Sequence, residues 1–353
     1  MLRVRNSNLY IARVYGARRL GFRAVRLLGF DGPESKQHTD SENLTCPYAR
    51  MIRKYVPAFG KLVEFPVPCG QCLFCKHHYQ NGLIFRLYNH AKMHNNCIFV
   101  TLTYNDEHYT DNPEELRKDI TKFIKRFRQE LCDKTFSYYM VCEKGDLKNR
   151  CHFHMLMFWN GIATKQDVAR LIDIKWRGPR RQLDNYDAFE VLSKLNDEQL
   201  LFEPFSQIGY TMVDFMDDRD TAVMAYVSKY VSDNQKKLVF RSWSLGLGLD
   251  ILSLDMDLVQ KMLHHRVIQY QPKDKLYTIS VPSYYKNKLF SVSERDVMFY
   301  DYLCSEDYAK YKDLVSDPDK MYHIYEAYCQ YEKRCLDRYN ARLQLKKQKK
   351  RLL

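Results

Sequence analysis

Two histidines one residue apart, His152 and His154 in the run HFHMLMFW, are the most chemically suggestive pair in the chain. Side chains alternate along a strand, so both imidazoles point to one face and Phe153 to the other. Glu143 lies nine residues upstream, at the end of the preceding apolar run. A short hairpin between the two runs brings its carboxylate alongside. Two nitrogens and one oxygen suit Mg²⁺, Mn²⁺ or Zn²⁺, with positions left open for substrate oxygens. Taken alone, the same pair also reads as ordinary surface or core histidines.

A second constellation is AYVSKYV. Tyr226 and Tyr230 are four residues apart, so on a helix they stack on one face about 6 Å apart, and Lys229 shares that face. A phenol is a sluggish nucleophile at neutral pH. A neighbouring cation helps its anion form, and a metal makes an attacked phosphorus more electrophilic. With 27 tyrosines in the chain, two ordinary residues of an amphipathic helix are the plain alternative. A third is FVTLTY, which puts the hydroxyls of Thr101 and Thr103 on one side of a strand, where they could hold DNA backbone or base edges. The fourth is Cys69-x2-Cys72-x2-Cys75 with Cys46 upstream, four thiols that could close a tetrahedral structural zinc site. Buried or reactive thiols are the alternative there.

The elements that must carry these residues follow from periodicity. Cys97–Tyr104 reads as a buried strand, and Glu114–Leu131 as a helix opened by Pro113 and two Glu, with Leu116, Ile120, Phe123, Phe127 and Leu131 on its apolar side. Its other side carries Lys118, Lys122, Lys125, Arg126 and Arg128, a solvated face or one that tracks DNA backbone near the threonine strand. Phe136–Cys142 and His152–Trp159 are two more strands joined by the polar turn EKGDLKNR. Gln207–Met216 is a strand, Asp220–Val231 a helix, and Leu83–Met93 a helix before the first strand. This order gives an α+β fold with an antiparallel sheet flanked by helices. The expected organisation is a basic arm and linker (1–45), a Cys-rich segment with a helix (46–95), a core (96–235, with an insertion at 160–206), and a Tyr-rich helical extension ending in a basic tail (236–353). Tyr322, Tyr325, Tyr328 and Tyr331 recur every three residues there and read as packing.

The 353 residues carry a formal charge of +13, and all of the excess sits at the ends. Residues 1–30 hold seven Arg and no acid, and residues 340–353 hold six bases and no acid, so 31–339 is formally neutral. The basic total is therefore weak evidence for a nucleic-acid-binding core, although basic ends are common on such proteins. The first 30 residues read as an arm that meets nucleic acid, an over-extended start, or a targeting presequence. With 45% hydrophobic residues there is material for a core. No apolar run approaches the roughly 18 residues that span a bilayer, so no membrane association is expected. Eleven cysteines without a secretory signal fit a reducing cytoplasm.

The order of the motifs is more specific than any one of them. Threonine-rich strand, His-x-His strand and Tyr-xx-Lys-Tyr helix together resemble the HUH endonucleases, which initiate rolling-circle replication of small circular DNAs. PCGQCLFC, FVTLTY, Glu143-Lys-Gly with Arg150 before the His pair, AYVSKYV and ISVPSYYKNKLF resemble the replication initiators of microviruses, the gokushovirus branch most of all. The resemblance covers roughly residues 46–290. Where that family often has Pro between the Arg and the first His, this chain has Cys151, which faces away from the histidines.

The resemblance implies an RRM-like core and a metal-dependent single-strand endonuclease and strand transferase. Glu143, His152 and His154 would hold Mg²⁺ or Mn²⁺, Tyr226 and Tyr230 would be the nucleophiles, and Lys229 would offset charge. It further implies a single-stranded DNA origin, host DNA polymerase and helicase as partners, and the bacterial host cytoplasm as location. A noncatalytic, zinc-stabilised nucleic-acid-binding protein is the rival reading, and an HUH transposase or relaxase is a second.

Overall fold

Alternation of side chains along pleated strands decides this architecture, because it sorts one helix-covered face of a sheet from another that carries the polar motifs. The computed structural model describes residues 46–146, 148–176, 208–216, 221–229, 237–249, 255–265, 267–272 and 276–351. Among the described residues, Leu87–Gly248 belong to one compact unit, and those up to Arg86 together with those from Leu249 onward belong to another.

In the first unit, five antiparallel strands form one sheet. In chain order they are β3 (Asn96–Tyr104), β4 (Ser137–Lys144), β5 (Cys151–Trp159), β6 (Gly209–Phe215) and β7 (Leu238–Trp243), following β1 (Arg50–Val56) and β2 (Lys61–Val67) of the other unit. The sheet order is β6-β3-β5-β4-β7. The fold is thus α+β with an antiparallel sheet, as expected from the sequence. β7 is a strand that the expected helical extension after 235 did not include. It pairs with β4 through a register shift at Cys142/Glu143.

One sheet face is apolar throughout: Ile98, Val100, Leu102, Met140, Cys142, Cys151, Phe153, Met155, Met157 and Trp159 are all buried there. Against it pack helices α2 (Pro113–Leu131) and α3 (Lys165–Trp176), which follow α1 (Leu73–Lys92) in the chain. α2 begins with Asn112, whose side chain accepts the Glu114 N–H, and with Pro113 in the first turn. It buries Leu116, Ile120, Phe123, Ile124, Phe127 and Leu131. α3 buries Val168, Ala169, Leu171, Ile172 and Trp176 in the same core, so residues 165–176 are a core helix and not part of a peripheral insertion. Residues 177–207 lie outside the described residues.

The second unit holds two hairpins. β1 and β2 turn over a short 3-10 helix, Pro57–Phe59, capped by Gly60 in the left-handed region at φ 60°. β8 (Val267–Tyr270) pairs with β9 (Tyr277–Ser280). Helices α5 (Met256–His264), α6 (Ser283–Leu289), α7 (Val292–Leu303), α8 (Glu306–Ser316) and α9 (Pro318–Arg351) complete it, after α4 (Thr221–Ser228) of the first unit. The segment ISVPSYYKNKLF supplies Ile279, Val281, Tyr285 and Phe290 to one buried cluster with Phe85, Met262 and Ile268. Among the described residues, no helix is long and apolar enough to cross a membrane.

Candidate active site

The second face of the five-stranded sheet carries the polar motifs, and the strand register lines them up. Thr103, His152 and Glu143 are consecutive cross-strand partners on β3, β5 and β4, and Thr101 pairs with His154 one step along. The hairpin expected from the nine-residue separation is therefore present, and it brings Glu143 directly beside His152. The carboxylate reaches diagonally to the other histidine: His154 Nε2 donates to Glu143 Oε1 at 2.8 Å, with Glu143 and His154 each about 6% exposed. Nδ1 of His154 lies 3.0 Å from the Thr101 hydroxyl. With Nε2 donating to the carboxylate, Nδ1 is the acceptor and Thr101 the donor; this tautomer follows from the partners.

α4 lies over this face. It buries Val223, Met224, Ala225, Val227 and Ser228, which leaves Tyr226 half-buried with its hydroxyl 3.3 Å from His154 Nε2. The Tyr226 ring meets Phe99 and His154 edge-on, at centroid distances of 5.8 and 5.2 Å. Lys229 follows one turn later and sets its ammonium 4.2 Å from the centre of the Tyr226 ring, a cation–π contact. The shared helix face expected for Tyr226 and Lys229 is thus realised, and the helix is shorter than the expected Asp220–Val231. Tyr230 lies outside the described residues.

The β4–β5 turn is tightly held. Gly145 N–H donates to Arg150 O at 2.8 Å, Asn149 sits in the left-handed region, and Lys237 pairs with Asp146. Arg150 donates to the carbonyls of Tyr104 (3.3 Å) and Asn105 (2.9 Å) and pairs with Asp106, tying the hairpin to the end of β3. A Cβ on Gly145 would stand 2.6 Å from His152 Nε2. Gly145→Ala is therefore expected to push the His152 ring aside. Any reaction depending on that ring should fall roughly 10–100-fold, read as initial rate beside an unchanged far-ultraviolet spectrum.

By donor type, Glu143, His152 and His154 fit a divalent ion. Nδ1 of His152 is buried without a hydrogen-bond partner, a polar atom in want of a ligand. Burial, the neighbouring His154 and Arg150 depress the His152 pKa, against the pull of Glu143, and so favour the neutral imidazole that binds metals. The site is not preassembled: the histidine ring centres are 6.4 Å apart, and the Glu143–His154 hydrogen bond joins two of the three donors directly.

The tentative DNA contacts divide. Thr101 and Thr103 stand on the histidine face, half-exposed, and the Thr103 hydroxyl donates to Tyr210 O at 3.4 Å. Lys122, Lys125 and Arg126 belong to α2 on the opposite face, so they do not flank the threonines as their sequence suggested. Lys122 and Lys125 are exposed, and Arg126 donates to Lys175 O at 3.1 Å. Lys125 lines an open cavity of about 590 Å³ with Arg117, Arg128 and Tyr138. Sequence reasoning missed Tyr210 and Met212 on β6. They pair with Thr103 and Thr101 and stay 50% and 39% exposed, flat apolar neighbours of the polar row. The alternation GYTMVDF was the signal for them.

In the other unit, Cys46, Cys69, Cys72 and Cys75 converge. Their sulfur atoms all lie within 4.8 Å of one another, which among the described residues makes them the candidate metal cluster that could hold a structural ion. Burial raises the Cys46 thiol to about 11. Cys69, although burial works against it, is brought down to about 7 by N–H groups of Gln71 and Cys72.

Comparison with known proteins bears on the first unit. Residues 97–235 match the model of the replication-associated protein ORF2 family. Over 106 residues the chain is 32% identical to the replication-associated protein VP4 of Bdellovibrio phage phiMH2K, covering 28% of this chain and 33% of that protein. Over 193 residues it is 28% identical to the replication-associated protein ORF4 of Chlamydia phage 1, covering 54% of this chain and 42% of that one. The chain therefore spans less than half the length of these curated relatives. No solved structure matches it. Over residues 97–235, which hold the sheet with its paired histidines and the helix with Tyr226, the chain belongs to the replication-associated protein ORF2 family.

Proposed function

We propose that this chain initiates replication of a small single-stranded DNA phage by nicking the viral origin and later rejoining the displaced strand. The observation that carries the reading is the Tyr226 hydroxyl 3.3 Å from His154 Nε2, on the one sheet face that also gathers Glu143, His152, Thr101 and Thr103. A phenol so placed serves a transesterification. Tyr226 Oη attacks the scissile phosphorus, the new O–P bond forms, and the P–O3′ bond breaks. One proton leaves the phenol and one is gained by the departing 3′ oxygen. The products are a 5′-phosphotyrosine link and a free 3′-hydroxyl, which primes a host polymerase.

One phosphodiester is exchanged for another of similar energy, so no nucleotide hydrolysis is required. Glu143, His152 and His154 would hold Mg²⁺ or Mn²⁺, whose contribution when bound is Lewis-acid polarisation of the phosphate. Thr101 holds the Nδ1 side of His154, which leaves Nε2, the nitrogen nearest Tyr226, to face the reacting groups. Lys229, above the tyrosine ring, offsets negative charge on phenolate and phosphate. Tyr210 and Met212 offer stacking surface for bases beside the cut. Tyr230 serves the second, rejoining transfer. The setting is the cytoplasm of the bacterial host, with its helicase opening the template.

The test is a labelled single-stranded origin oligonucleotide incubated with the protein and Mn²⁺, then run on a denaturing gel. A DNA–protein band that survives denaturation and disappears with His154→Ala supports the reading. Tight DNA binding with no adduct from any phage-derived sequence would favour the noncatalytic binder, a reading that the four-cysteine cluster and the basic chain ends also support.

A further inference from the structure

The four cysteines have the dimensions of an ion site. A tetrahedral ion with metal–sulfur bonds of about 2.3 Å spaces its sulfurs about 3.8 Å apart. Here Cys46 and Cys72 sulfurs are 3.7 Å apart, and those of Cys69 and Cys75 are 4.0 Å apart. None of the four is in a disulfide. The loop Cys69-Gly70-Gln71-Cys72 wraps around the Cys69 sulfur, which accepts N–H groups from Gln71 (3.4 Å) and Cys72 (3.3 Å), and Gly70 takes the left-handed φ of 75° that the wrap needs. Cys46 Sγ accepts the Cys69 N–H at 3.3 Å. Donors of this kind orient thiolate ligands and offset their charge. Cys75 adds the fourth sulfur from the first turn of α1.

What rests on this knot is α9. Tyr328, 4% exposed, accepts the Leu73 N–H at 3.3 Å and packs edge-on against Phe74 and Tyr48. Tyr331 reaches His77 Nδ1 at 3.1 Å, and Tyr325 packs on Tyr48. Every one of these partners lies within two residues of a ligating cysteine. The segment at Cys46 and the start of α1 are far apart in sequence, so nothing local holds them as one surface for the tyrosines.

We propose that Cys46, Cys69, Cys72 and Cys75 bind one Zn²⁺ as a tetrathiolate, and that this ion is the clamp that docks α9 through Tyr325, Tyr328 and Tyr331. Four soft sulfur donors with no water position select a structural ion, not a catalytic one. The clamp is independent of the nicking reaction, and its test uses no DNA.

The full-length protein, purified without added metal, is expected to carry one zinc per chain by elemental analysis. Exchange for Co²⁺ should give the intense visible bands of tetrahedral cobalt thiolate. Cys72→Ser should lose the ion, whereas Cys304→Ser, at an exposed cysteine outside the cluster, should keep it. Stripping the ion with a chelator should speed tryptic cleavage at the exposed Lys333, Arg334 and Arg338 of α9 by at least about tenfold, with zinc restoring protection. If Cys72→Ser fails to fold, the chelator and cobalt arms on the unaltered protein still decide. Absence of zinc and of a cobalt thiolate spectrum overturns the site, as does iron in its place. Stoichiometric zinc with unchanged cleavage of α9 overturns the clamp.

Discussion

Tyr226→Phe is expected to lower origin nicking by at least about 10³-fold while leaving the fold and DNA binding close to unchanged, because a nucleophile has no substitute within the site. The change removes one oxygen. The ring keeps its edge contacts with Phe99 and His154 and its place under the Lys229 ammonium. Helix α4 is anchored by Val223, Met224 and Val227, none of which touches the altered atom's role. The measurement is the initial rate of cleavage of a labelled single-stranded origin in Mn²⁺, with affinity read separately by anisotropy. Near-normal cleavage would mean that the hydroxyl at 3.3 Å from His154 is structural. His154→Ala should match the loss in rate without removing the phenol, since Nε2 is the atom the phenol faces.

Phe153→Ala is the expected opposite, large in stability and small in chemistry. Phe153 lies between the two site histidines in sequence but on the other sheet face, fully buried among Tyr104, Trp176 and Phe240. Phe-to-Ala truncation in such a core costs about 3–5 kcal/mol, a large part of the stability of an ordinary domain. Urea unfolding should show the midpoint falling accordingly. At low temperature, the fraction still folded should nick at close to the normal rate per folded molecule. If the loss of activity exceeded the loss of folded protein by orders of magnitude, the separation of the two faces would not hold.

That separation was legible in the run HFHMLMFW, where alternation alone assigns the histidines to one side and Phe153 to the other. The position of Glu143 followed from the strand–turn–strand length, and the Tyr226–Lys229 pair from helical spacing. The placement of α2 was misjudged, although the signal was present. Alternation that puts Thr101 and Thr103 beside the histidines puts Val100 and Leu102 behind them, and the apolar stripe of α2 had to cover that side. Its lysines were thereby carried away from the threonines.

β7 and the hairpin of β8 and β9 are six, four and four residues long. Runs that short give little periodicity, and tertiary pairing decides them. α1 begins ten residues before the expected Leu83, because its first turns face the cysteine cluster and lack an ordinary amphipathic stripe. The cysteine spacing looked tight for three ligands on one turn. Gly70 in the left-handed region and Cys75 on the helix relieve the crowding, and no count of intervening residues reveals that.

The most direct measurement is to locate the DNA on the protein. The trapped adduct is digested with trypsin and nuclease, and the nucleotide-bearing peptide is sequenced by mass spectrometry. Cleavage after Arg219 and Lys229 isolates DTAVMAYVSK, which contains Tyr226, from the following peptide, which begins with Tyr230. A single nucleotide remnant on the Tyr226 peptide after the first cleavage is the expected result. An adduct confined to another peptide, or one formed undiminished by Tyr226→Phe, would contradict the assignment of Tyr226 as the attacking group.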